Sequence, residues 1–203
     1  MLDVQELRGE ILARGARVVA IDGRGGAGKS TLARLLADGW PAAVVVGMDD
    51  FYRPVAERAR APETHGASLD LERLRREVLD PLASGLPARY QRYDWDQDRL
   101  AEWHEVPAGA VVLLEGVYSA SEMLCGHLDF TIWVECPHQE RLRRAIARDG
   151  ESMRSVWTGE WMPAEDRYVH AQRPDRRADV VLDGSGEDVA GVGFQVRARR
   201  RRR

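Results

Sequence analysis

Residues 18 to 37 read Val-Val-Ala-Ile-Asp-Gly-Arg-Gly-Gly-Ala-Gly-Lys-Ser-Thr-Leu-Ala-Arg-Leu-Leu-Ala, and the order of this stretch decides the fold. Gly23, Gly28, Lys29 and Ser30 satisfy G-x-x-x-x-G-K-[ST], a phosphate-binding loop. A short apolar strand, Val18 to Ile21, precedes it, and a segment with helical apolar spacing follows from Ser30 to Asp38. Glycines let successive N–H groups converge on phosphate oxygens, and the helix that starts at Ser30 directs its positive end at the same anion. Lys29 adds charge between β- and γ-phosphates, and the Ser30 hydroxyl is a ligand for Mg²⁺. The expected nucleotide contacts are therefore Gly23, Gly25, Gly26, Ala27, Gly28, Lys29, Ser30 and Thr31.

Outward from this loop, apolar strands alternate with helices. Ala43 to Val46, Ala110 to Leu114, Phe130 to Val134 and Ala178 to Leu182 read as further buried strands, the last of them closing the sheet. Helices are expected from Asp3 to about Arg14, from Asp70 through Leu82, after Pro137, and from Pro163 to about His170. Residues 53–69, broken by Pro54, Pro62 and Gly66, read as a mobile connection, and the aromatic-rich stretch 89–99 as a hairpin or loop over a site. Residues 149–162 read as a lid. The fold class is α/β, a three-layer parallel sheet with helices on both faces in the P-loop nucleoside triphosphate hydrolase manner. One domain is expected over residues 1–196, followed by a basic tail at 197–203.

The formal charge is −3 over 203 residues, with six arginines among the last seven. Taking those six away leaves the rest at −9, an acidic body with a basic appendage. Such a run reads as a solvated tail, with nucleic acid a poorly supported alternative partner. Cys125 and Cys136 have no metal or disulfide spacing and read as buried thiols of a reducing cytoplasm. No stretch approaches the ~18 apolar residues of a membrane span. No signal peptide is read at the N-terminus, where Asp3, Glu6 and Glu10 interrupt any apolar run.

In a parallel sheet, sites form at the C-terminal ends of strands. Glu115 ends one strand, where a carboxylate can hold Mg²⁺ or merely terminate the strand. Asp49, after another, can accept the proton of an attacking hydroxyl or close an Asx turn. Arg141, Arg144 and Arg148 share one helical face, suited to a transferring phosphoryl group or to plain solvation.

Together these residues resemble the uridine kinase family of phosphate-loop kinases, which includes phosphoribulokinase-like and pantothenate kinase-like members. Asp49-Asp50-Phe51-Tyr52 is similar to that family's Asp-Ser-Phe-Tyr. The resemblance implies that Asp49 is the catalytic base and that Tyr52 lines the acceptor site. Glu115-Gly116 resembles the Glu-Gly that helps hold magnesium. Arg141, Arg144 and Arg148-Asp149 resemble the helix into the lid, which implies phosphate contacts for Arg144 and a catalytic place for Arg148 beside Lys29. Pro163-Ala164, Tyr168 and Ala178 to Val181 resemble the closing helix and strand.

The departures lie in the acceptor pocket. Thr64-His65-Gly66-Ala67 stands where the family's nucleoside kinases have Asp-His-Pro-Asp, so only His65 persists. Tyr93-Asp94-Trp95 resembles Tyr-Asp-Phe, but Asp98 replaces the pyrimidine-reading His. Tyr52, His65, Tyr93 and Asp98 are the acceptor candidates. The expectation is an ATP- and Mg²⁺-dependent kinase acting on a primary hydroxyl of a small molecule, with uridine or cytidine the leading acceptor. A sugar or pantothenate-like alcohol is the runner-up, and a non-catalytic ATP-binding regulator the rival. No membrane partner is expected, and the reading admits a homo-oligomer.

Overall fold

Every residue of β1 (Val18–Gly23) is buried, because the strand is the middle of a sheet covered on both faces. Val18 and Ala20 pack with Val46, Leu74, Val112 and Leu114 on one face. Val19 and Ile21 pack with Leu7, Ile11, Leu32 and Leu36 on the other. The computed structural model describes residues 2–58, 66–186 and 193–200.

In chain order the elements begin with α1 (Val4–Ala13), β1, α2 (Lys29–Ala37) and β2 (Ala43–Gly47). A 3₁₀ turn, Met48–Phe51, leads to α3 (Val55–Arg58). One helical run follows, made of α4 (Leu71–Leu74), a π-type turn Arg75–Leu79 and α5 (Asp80–Ala83). Next come β3 (Ala88–Asp94), β4 (Arg99–Val106), β5 (Val111–Glu115), β6 (Phe130–Glu135) and α6 (His138–Asp149). α7 (Arg154–Val156), a π-type turn Trp157–Trp161, α8 (Met162–Gln172), α9 (Pro174–Arg177), β7 (Val180–Gly186) and β8 (Gly193–Arg199) complete the chain.

The main sheet has the order β2–β5–β1–β6–β7–β8. The first five strands pair in parallel, and β8 joins antiparallel to β7. β1 has β5 on one side and β6 on the other, so the crevice opens at the C-terminal ends of these central strands. The fold is α/β, a parallel-dominant sheet between helices. Asp3 caps α1 through its Oδ1, which accepts from the N–H of Gln5 at 2.8 Å and of Glu6 at 3.2 Å. Stretch 89–99 falls in a separate antiparallel hairpin, β3–β4. Among the described residues no helix is long and apolar enough to cross a membrane.

Three expectations are corrected. The strand at 178–182 does not close the sheet, because β8 follows it. Arg197 and Arg199 belong to β8 rather than to a free tail: Arg197 pairs with Asp183 at 2.6 Å, and Arg199 with Glu6 at 2.8 Å and also with Glu10. The Leu2 N–H donates to the Phe194 carbonyl at 2.8 Å, so β8 and the start of α1 are fastened together. Cys125 is exposed, since its 3₁₀ turn lies on the surface, whereas Cys136 is buried. Residues 201–203 lie outside the described residues, as does His65.

Candidate phosphoryl-transfer site

The phosphate loop closes on itself first. The Arg24 carbonyl accepts from the Ala27 N–H at 3.2 Å and from Lys29 Nζ at 3.1 Å. Gly23 adopts φ +151°, and a Cβ there would strike the Val134 carbonyl of β6, so only glycine lets the loop leave the sheet at this point. Gly28 takes φ +103° as the N-cap of α2, and α2 begins at Lys29. Lys29 is buried at the base of the cleft.

Two strand ends bring carboxylates to this base. β5 ends in Glu115, which lies close to the Ser30 side chain. The turn after β2 presents Asp49, which opens onto the cleft. Enough protein surrounds Asp49 that lost hydration raises its pKa, while Lys29 and Arg148 pull it back down. Glu115 is raised for the same reason; Lys29, Ser30 and Arg148 oppose the rise, and Asp49 adds to it. Two neighbouring carboxylates beside a hydroxyl form a hard-oxygen donor set, which fits Mg²⁺. Lys29, Ser30, Asp49, Glu115 and Arg148 thus share one cleft. Arg148, at the end of α6, also pairs with Asp149 at 2.7 Å.

The other arginines of α6 do something else. Arg144 donates to Glu140 at 2.6 Å and to the Gly184 carbonyl at 2.7 Å, so it holds the end of β7. That end lies against the loop, because a Cβ on Gly184 would meet the Ala27 carbonyl. Arg141 turns inward, which excludes the solvated reading: it donates to the Cys136 carbonyl at 3.2 Å and to Glu165 at 3.3 Å.

On the far side of Asp49, Tyr52, Tyr93 and Trp95 form a three-ring wall, with centroids 4.5 Å apart for Tyr52–Trp95 and 5.2 Å for Tyr93–Trp95. The Arg58 guanidinium lies 5.1 Å from the Tyr52 centroid and 5.4 Å from each of the other two. Asp98 accepts from the Tyr93 hydroxyl at 2.6 Å and from the Val55 N–H at 2.9 Å. Tyr52, Tyr93 and Asp98 are therefore together.

Sequence reasoning passed over three residues. Asp22, fully buried, accepts from the Gly23 N–H at 2.7 Å, the Ala120 N–H at 2.9 Å and the Tyr168 hydroxyl at 2.6 Å. Its signal was a charge following four apolar strand residues. Glu165 accepts from the Gly25 N–H at 3.0 Å, a contact across 140 residues that no local pattern announces. Trp157 lies directly over Gly25, where an added Cβ would be 2.6 Å from the indole ring.

The profile of the Phosphoribulokinase / Uridine kinase family matches residues 18–188. A uridine kinase of Borreliella burgdorferi is 26% identical over 184 residues, covering 85% of this chain and 89% of the relative. The structure of a possible uridine kinase from Bacillus stearothermophilus superposes with TM-score 0.67 at 24% identity, over 88% of this chain and 96% of that one. A D-glycerate 3-kinase from Cryptococcus neoformans shares the fold at TM-score 0.64 and 14% identity, over 95% and 98%. A phosphate loop on a β1-centred parallel sheet and a profile match over most of the chain agree: the chain belongs to the phosphoribulokinase/uridine kinase family.

Proposed function

We propose that the protein is an ATP-dependent kinase that transfers the γ-phosphoryl group to a primary hydroxyl of a small molecule. The observation that carries this reading is the meeting of Asp49 with Lys29, Arg148 and Glu115 in one cleft. Lys29 and the loop N–H groups hold the phosphates. Asp49 accepts the proton of the attacking hydroxyl. Arg148 is placed to stabilise charge that develops in transfer. Ser30 and Glu115 would hold Mg²⁺, which when bound neutralises charge on the phosphate oxygens. A pure nucleotide sensor has no use for a carboxylate base beside a phosphate site, which disfavours the regulator reading.

For the acceptor, the ring wall of Tyr52, Tyr93 and Trp95 suits a planar base, and the Borreliella relative is named for uridine. Uridine or cytidine is accordingly the leading acceptor. A second reading, a non-nucleoside alcohol, is favoured by one feature: Arg58 fills the space among those rings, and Asp98 is engaged by Val55 and Tyr93. Product formation from ATP and Mg²⁺ tested against nucleosides, sugars and vitamin precursors decides between them. Turnover with uridine at kcat/KM of ~10⁴ M⁻¹s⁻¹ or more supports the nucleoside. Turnover only with another alcohol supports the second reading, and ATP binding with no turnover on any acceptor overturns the kinase.

A further inference from the structure

Gly25 is held from behind by a buried ion pair. Its N–H donates to Glu165 Oε1 at 3.0 Å, and its carbonyl accepts from Arg141 Nη1 at 3.4 Å. The same Arg141 nitrogen lies 3.3 Å from Glu165 Oε2, so acid and base grip both polar groups of one glycine and each other. The Arg141 side chain is 3% exposed and that of Glu165 8%, so neither charge is solvated. The two come from different elements: Arg141 from α6, which leads into the expected lid, and Glu165 from α8, which leaves it. The neighbours repeat the arrangement. Arg24 pairs with Asp166 at 2.7 Å, and Tyr168 donates to Asp22 at 2.6 Å. One turn of α8 therefore grips Gly25 and Arg24 of the loop and then Asp22 at the end of β1.

We propose that Glu165, braced by Arg141, is a positioning residue for the phosphate loop: it fixes the Gly25 peptide groups so that the remaining loop N–H groups are arranged for a nucleotide's phosphates. Stability alone is a poor reason for such a pair. Desolvating two charges offsets much of their attraction, and well-packed apolar substitutes are often as stable. Positional definition is a better one. Glycine has the widest choice of backbone conformation, and a binding loop that must be ordered on contact loses affinity to that ordering. Because the carboxylate binds the loop rather than any reacting atom, its effect is on nucleotide affinity and not on the chemical step.

This inference rests on the nucleotide-binding reading of the loop and is separable from it. The test compares the full chain with Glu165→Gln and with the double variant Arg141→Met/Glu165→Met. Calorimetric titration with ADP and Mg²⁺ in the absence of acceptor gives Kd, and steady-state assays divide KM for ATP from kcat. The double variant strands the Gly25 N–H and carbonyl, so it is expected to melt below the parent while staying folded, to bind ADP about tenfold or more weakly, and to keep kcat at saturating ATP within about threefold. Glu165→Gln, which can still accept the Gly25 N–H, is expected between the two. A folded double variant with the parent's Kd overturns the inference, and so does a loss confined to kcat. If the double variant does not fold, Glu165→Gln decides: parental Kd overturns the proposal, weakened Kd sustains it. A parent chain that binds no nucleotide would overturn the kinase reading first, and the brace with it.

Discussion

The Tyr90 hydroxyl donates to Asp50 Oδ2 at 3.1 Å, and this bond separates the roles of two adjacent carboxylates. Asp50 is turned to the hairpin, and its backbone carbonyl accepts from Arg73 at 2.7 Å. Asp49 faces Lys29 and Arg148 instead. Asp49→Asn is therefore expected to lower kcat by roughly 10²–10⁴, a barrier increase of about 3–5 kcal/mol, with nucleotide affinity little changed. Asp50→Asn should chiefly lower the melting temperature or raise acceptor KM. Parallel kinetics on the two variants check this; a collapse of kcat only in Asp50→Asn would reverse the assignment.

The raised pKa of Asp49 sets a pH dependence. The base works ionised, so activity is complete above its folded pKa and is lost as pH falls through it. Since the protein around it displaces hydration and moves that value upward, the acid limb of kcat/KM should lie above the ordinary aspartate range near ~4. Arg148 pulls the value down, so Arg148→Met should move the limb to still higher pH. A pH profile in which the limb does not move would show that Arg148 exerts no field on the base. Stability has the opposite dependence: the folded state holds the Asp49 proton more tightly, so this group's contribution falls as pH rises from the ordinary to the raised pKa.

The closeness of Ser30 and Glu115 predicts a shared metal demand. Glu115→Gln keeps the shape and removes the charge, so half-saturating Mg²⁺ should rise several-fold while the melting temperature stays near the parent's. A superimposable Mg²⁺ titration would reduce Glu115 to a strand terminator.

Tyr168→Phe deletes one of three donors to the buried Asp22. Stranding part of a buried carboxylate costs about 1–3 kcal/mol, read as a lower urea midpoint at unchanged slope. A midpoint equal to the parent's would show that water or another donor replaces the hydroxyl.

Short-range signals carried most of the architecture. The phosphate loop, the Asp3 cap, the hairpin and the strand ends at Asp49 and Glu115 each lie within a few residues of their own explanation. What escaped depends on distant partners. Arg141 has the helical spacing of a solvated face, and Glu165, 24 residues on, together with the Gly25 carbonyl, 116 residues back, holds it inward. β8 was hidden by composition: six arginines drew the eye from Phe194, Val196 and Ala198, which alternate with Gln195, Arg197 and Arg199 at strand period. Cys125 sits among apolar neighbours in sequence yet lies on a surface turn, because tertiary packing and not local composition sets burial.

The tie between β8 and α1 bears on how the protein is made. Arg199 and Glu6 are partners 193 residues apart, and Leu2 hangs from Phe194. A ribosome delivers α1 first and its fastening strand last, so during synthesis the first helix waits beside a sheet that lacks its final edge. Closing so long a loop is slow relative to local helix formation, although its entropic cost grows only with the logarithm of length. The phosphate loop is translated by residue 31, and Arg8 can reach the Leu36 carbonyl soon after, but the ties from β8 arrive only with residues 193–199. Protection of α1 from proteolysis in stalled nascent chains should accordingly rise once those residues have cleared the exit tunnel.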